Sequence, residues 1–179
     1  MKVERRAISG LSAQGNILSA LAIPYNSRSQ DMGFIEQIAP DAFKESLQGD
    51  IKALYEHERQ HIIGRTQSGT LRLNNTLDGV YAEIDLPNTS IGNDLAVLVG
   101  RGDISGMSFG FIVDSDSWDY SQEPALRTIL KPTPTEVTVT SDPAYLQTHV
   151  TVSQRALNKA KIKAVNENLR AEIELLEVI

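Results

Sequence analysis

A serine set between glycines, three histidines and a glutamate among valines are the residues of this chain best suited to chemistry. The serine lies in Gly106-Met107-Ser108-Phe109-Gly110-Phe111. Alternation there puts Met107, Phe109, Phe111 and Val113 on one strand face and Ser108 and Gly110 on the other. Glycine weakens a strand interior unless another backbone or a ligand must approach closely. A serine in that setting suits a nucleophile. It also suits a small filler whose hydroxyl bonds to a neighbouring carbonyl, and these residues alone leave both readings open.

With no cysteine in the chain, disulfides, thiol catalysis and cysteine-based metal sites are excluded. Serine, threonine, histidine and carboxylates are left to carry any reaction. Among the histidines, His57-Glu58-Arg59-Gln60-His61 matches the HExxH pattern of zinc peptidases. That pattern works by placing two imidazoles on one helix face, with a glutamate beside the metal-bound water. Arg59 would add a cation to such a site, the residues before His57 alternate as a strand, and Ile62-Ile63-Gly64 ends the segment quickly. The competing arrangement is a hydroxyl activated by a histidine that a third polar group orients. Ser108, His57 and Glu136 each fall in an expected strand, on the face opposite neighbouring apolar residues. Glu136, flanked by valine, calls for a partner. An imidazole N–H would serve, and so would a lysine or arginine at a sheet edge.

The elements that must position these groups read as mainly β with a few helices. Residues 3–10 and 16–24 suggest an opening hairpin around Ser12 to Gly15. A short strand over Phe34 to Ile38 is followed by a short helix to about Leu47, capped by Asp41. Strands are expected at Ile51 to His57, Gly69 to Leu73 and Val80 to Leu86, and a helix at Thr89 to Val99 that Gly100 or Gly102 stops. The serine strand spans Ile104 to Val113, residues 114–124 read as an acidic loop, and strands follow at Leu126 to Lys131 and Glu136 to Thr140. Past Val152 there is no glycine or proline. Ile162, Val165, Leu169, Ile173 and Leu176 recur at helical spacing, so residues 153–179 are expected as a separate amphipathic helix, folded back or serving as an interaction or oligomerisation arm beside a domain over 1–152.

A chain of 179 residues, 41% hydrophobic and 22% charged, suits one compact globular core. The net charge of -6 and the lack of a basic stripe in residues 1–150 argue against nucleic acid as a partner. No apolar run approaches the roughly 20 residues that span a bilayer, so no membrane partner is expected. Met1 to Arg6 is too polar for a signal peptide, and an intracellular protein is expected.

Ala39-Pro40-Asp41-Ala42-Phe43, His57, Gly64-Arg65, the run Gly100 to Phe111 and the run Glu136 to Ala144 together resemble the prohead proteases of tailed bacteriophages. The resemblance covers roughly residues 1–150, and the serine strand is its most specific part. It implies a compact β-barrel akin to the herpesvirus capsid-maturation protease, assemblin. It also implies a serine endopeptidase that enters the immature capsid in the host cytoplasm, cleaves scaffold or the scaffold-like part of the capsid protein, and cuts itself. The nucleophile then maps to Ser108 and the base to His57, with no cofactor. The third member maps to Glu136, with His149 as the alternative because herpesvirus relatives use a second histidine there. Major capsid protein and scaffold protein follow as partners, and a homodimer by analogy. Two other classes stand beside this one: a zinc metallopeptidase using His57, Glu58 and His61, and a non-enzymatic assembly protein.

Overall fold

The computed structural model describes residues 3–141 and, further on, residues 162, 165–167, 169 and 170. Two sheets pack face to face. The larger runs β1 (Glu4–Ser9), β9 (Gly106–Asp119), β10 (Leu126–Thr140), β5 (Lys52–Tyr55), β6 (Glu58–Arg65), with β4 (Ile35–Ile38) also on β10. The smaller runs β2 (Ser12–Gln14), β3 (Ile17–Pro24), β8 (Gly79–Asp85), β7 (Leu71–Asn75). Among the described residues the fold is mainly β as expected, but the strands form two open sheets and not a closed barrel.

The core lies between the sheets because period-two alternation gives each one apolar face. Ala53, Met107, Phe109, Phe111, Val137 and Val139 meet Leu18, Ala20, Ala22, Val80, Ala82 and Ile84. Phe43 closes it, edge-on to Phe109 and Phe111 with ring centroids 6.4 and 6.0 Å apart; burying such a ring contributes about 1.5–3 kcal/mol. The helix α1 (Ser90–Arg101) starts where the Thr89 side chain accepts from the Gly92 N–H and stops where Gly102 takes φ 82°. Its buried residues are Gly92, Leu95 and Val99.

Several expectations are corrected. β1 is no arm of the opening hairpin: it pairs antiparallel with β9, and the hairpin is β2 with β3. Residues 39–47 form turns that end in a 3₁₀ turn, Ser46–Gln48, and Asp41 sits at φ 57° with its carboxylate accepting from Asn75 Nδ2 instead of capping a helix. The acidic stretch 114–119 continues β9, in register with β10 out to Asp119 opposite Leu126. The two strands expected between Leu126 and Thr140 are one, because Pro132 and Pro134 fall where the register with β9 slips. β6 was not anticipated, its start Glu58-Arg59-Gln60 being polar and exposed. In the C-terminal segment the described residues are helical, with Ile162, Val165 and Leu169 exposed. The rest of the helix expected over 153–179 lies outside the described residues, as does His149.

Candidate active site

Ser108 and Glu136 share the face of the larger sheet that points away from the core. The register fixes their relation: Ser108 stands opposite Thr138, and Glu136 opposite Gly110. Ser108 and Glu136 are therefore diagonal neighbours on adjacent strands, roughly 7–8 Å apart by sheet geometry. A gap of that size takes one imidazole with a hydrogen bond at either end. Gly110 makes room for the Thr135 and Glu136 side chains, since a Cβ there would meet Thr135 Oγ1 at 2.8 Å and Glu136 Cγ at 3.0 Å.

His57 does not lie in a strand as expected but in the two-residue turn that joins β5 to β6, where Tyr55 pairs with Glu58. Both central residues have positive φ, 50° for Glu56 and 60° for His57. Hairpins of this kind favour Asn-Gly because a side chain at positive φ costs roughly 1–2 kcal/mol. The Glu-His turn is held by neighbours: the Glu56 N–H donates to Val139 O at 3.0 Å, and the Glu56 carboxylate accepts from Thr140 Oγ1 at 2.9 Å and the Ser141 N–H at 2.7 Å. Burial works against the Glu56 carboxylate, but the Ser141 and Thr140 bonds outweigh it and hold its pKa below the usual range. Glu56→Ala should thus lower stability by about 1–2 kcal/mol as read by urea unfolding, with the loss shrinking as pH falls through the carboxylate range. A loss that stays constant down to pH 3 would show that the charge plays no part.

The turn delivers His57 Nδ1 to Glu136 Oε1 at 2.8 Å, and Arg5 Nε donates to the same oxygen at 2.8 Å. An ionised carboxylate only accepts, so Nδ1 carries a proton, and the tautomer this selects for the uncharged ring is the one with its lone pair on Nε2. Burial disfavours the charged Glu136, yet the bonds from His57 and Arg5 more than compensate, and its pKa is lowered. It remains a charged acceptor at neutral pH. Ser108 is buried, and among the described residues its Oγ makes no hydrogen bond, to His57 or to any other group. Base–nucleophile bonds of this type are often long without substrate and tighten with it. Chemically, the arrangement offers a hydroxyl, an imidazole whose Nδ1 is held by the carboxylate, and a charged carboxylate on one face.

His61 stacks on Tyr55 with centroids 6.4 Å apart, and residues 58–61 are strand. The HExxH spacing therefore falls on a turn and a strand, not on the helix that would bring two imidazoles to one face.

Over residues 1–163 the chain matches the family described as Caudovirus prohead serine protease. It belongs to that family. This prohead protease, an enzyme of capsid maturation, also resembles in fold the capsid assembly protease of bacteriophage T4, with a TM-score of 0.54 and 9% identity over 78% of this chain and 97% of that one. No curated protein matches it. Two residues of the candidate site, Arg5 and Glu56, were missed by sequence reasoning. Arg5 is one of two adjacent arginines near the start, with nothing in the sequence to separate its role from that of Arg6; Glu56 was absorbed into an expected strand.

Proposed function

We propose that the chain is a serine endopeptidase in which Ser108 is the nucleophile, His57 the general base and Glu136 the group that orients it. Within the assembling prohead it cleaves scaffold, or the scaffold-like part of the major capsid protein, and itself. The observation that carries this reading is the 2.8 Å bond from His57 Nδ1 to Glu136 Oε1 on the face that also holds Ser108. As Oγ attacks the scissile carbonyl carbon, its proton passes to Nε2, and the imidazolium is stabilised by the carboxylate. His57 then gives that proton to the leaving amine. Water, deprotonated by the same base, hydrolyses the acyl-enzyme and regenerates Ser108. Backbone N–H groups would hold the oxyanion. Ser141 offers none in this state, its N–H being engaged by Glu56. A substrate added as an extended strand would suit a protease that spares folded shell and digests flexible scaffold. The helix expected over 153–179 is proposed as an arm for scaffold or for a second protomer.

The reading is tested by treating the chain with a serine-directed fluorophosphonate and, separately, with a metal chelator, while following cleavage of co-expressed capsid and scaffold proteins by intact mass. One adduct on Ser108, loss of cleavage with it and indifference to chelator are expected. Cleavage that the chelator stops and the phosphonate spares would assign the chemistry to a metal instead.

A further inference from the structure

The row of residues that crosses the larger sheet at Ser108 contains a second hydroxyl. Thr138 stands opposite Ser108 on one side and opposite Leu54 on the other. It is fully buried, and its Oγ1 has no hydrogen-bond partner. A buried hydroxyl without a partner carries a free-energy penalty that valine, of the same shape, would avoid. Such an atom asks for a reason. Leu54 offers it nothing polar. Ser108 offers an oxygen that is likewise unbonded among the described residues, and directly opposite residues of an antiparallel pair have Cβ atoms about 4.5–5.5 Å apart, within reach of a hydroxyl pair after side-chain rotation. Among the described residues two other buried polar atoms lack partners, Thr135 Oγ1 and His61 Nδ1, but neither residue is in register with Ser108.

We propose that Thr138 is a positioning residue for the nucleophile: in the reactive arrangement its Oγ1–H donates to Ser108 Oγ. The bond leaves the Ser108 proton directed at His57 and takes up part of the negative charge on Oγ as that proton departs. The Thr138 proton stays on Thr138 throughout. This inference rests on Ser108 being the nucleophile, so its test reads Ser108 directly.

Wild type, Thr138→Val, Thr138→Ser and Ser108→Ala, each as the full chain, are treated with a fluorophosphonate. In the reaction the Oγ–P bond forms, the P–F bond breaks, fluoride leaves and the serine proton passes through His57 to solvent. The labelling rate is followed by intact mass, the adduct is located by peptide mapping, and thermal unfolding is measured in parallel. Wild type and Thr138→Ser should label at Ser108 at similar rates. Thr138→Val should label the same residue about 10–100-fold more slowly, with a melting temperature equal to or above that of wild type. Equal rates for Thr138→Val and wild type would overturn the inference and leave the nucleophile standing. So would slow labelling accompanied by a lower melting temperature, which would make Thr138 a structural residue, or a Thr138→Ser rate as low as that of the valine variant. No adduct on Ser108 in wild type, or undiminished labelling of Ser108→Ala, would sink the nucleophile assignment and this inference with it.

Discussion

Ser108→Ala and His57→Ala should each reduce scaffold cleavage by about 10⁶-fold, and combining them should reduce it little further, because a nucleophile and its base act as a unit. Glu136→Gln should cost about 10⁴-fold. Glutamine can turn its amide nitrogen toward Nδ1, which then accepts instead of donating and moves the imidazole proton to Nε2, where it blocks the lone pair. These losses should come without loss of fold in Ser108→Ala: Ser108 Oγ bonds to nothing among the described residues, so its removal leaves no group unpaired. Alanine keeps the Cβ that makes φ near 60° costly, so His57→Ala leaves the turn's strain as it was, and Glu136 keeps its bond from Arg5; its melting temperature is expected close to that of wild type. Co-expression with capsid and scaffold proteins, read by intact mass, measures the first effect; thermal unfolding measures the second. A Ser108→Ala protein that still trims scaffold would end the serine mechanism, and one that fails to fold would make that serine a packing residue.

How much of this could be read without coordinates depended on whether the signal was periodic. Met107, Phe109 and Phe111 opposite Ser108 and Gly110, and Val137 and Val139 opposite Glu136 and Thr138, alternate strictly, and both strands carry the faces expected of them. Gly110 was legible too, as a place where something must come close, and the side chains of Thr135 and Glu136 prove to be those neighbours. His57 was legible as a residue but not as a geometry: a Glu-His pair gives no turn signal, and its positive φ is imposed by bonds to Val139, Thr140 and Ser141, far along the chain. Residues 114–119 looked like loop because their side chains are polar, yet this end of β9 pairs with β10 alone and needs no apolar face where Arg127 reaches Asp116 and Trp118 packs on Phe34. Long-range charge pairs leave no periodic trace. Arg5, Arg6, Glu36 and Arg127 could not have been matched to partners from spacing alone.

Glu36→Ala should lower stability by about 3–5 kcal/mol, seen as a fall in the urea midpoint at unchanged slope. Glu36 is buried, and its carboxylate holds Arg6 by two bonds, Nε to Oε1 at 2.7 Å and Nη2 to Oε2 at 2.8 Å, while Arg127 Nη1 reaches Oε2 at 3.0 Å. Glu4 and Asp116 complete the cluster on Arg127. Removing the central carboxylate strips Arg6 Nε of its partner where water cannot readily replace it; Glu4 still holds Arg6 Nη2, and the buried donors left unpaired set the size of the loss. Burial disfavours the charged Glu4, but Arg127 and Arg6 prevail and lower its pKa, so its contribution is present above the ordinary carboxylate pKa and fades as pH falls through the lowered one. Wild type should accordingly lose stability below about pH 4, as the Glu4 carboxylate takes up its proton. The effect reaches the site through β1, an edge strand whose Arg6 joins the cluster on one face while Arg5 bonds Glu136 on the other. Cleavage by Glu36→Ala should therefore fall at temperatures below its melting point, as β1 frays and Arg5 leaves Glu136. A destabilised variant with wild-type cleavage up to its unfolding transition would show that the cluster supports the fold alone.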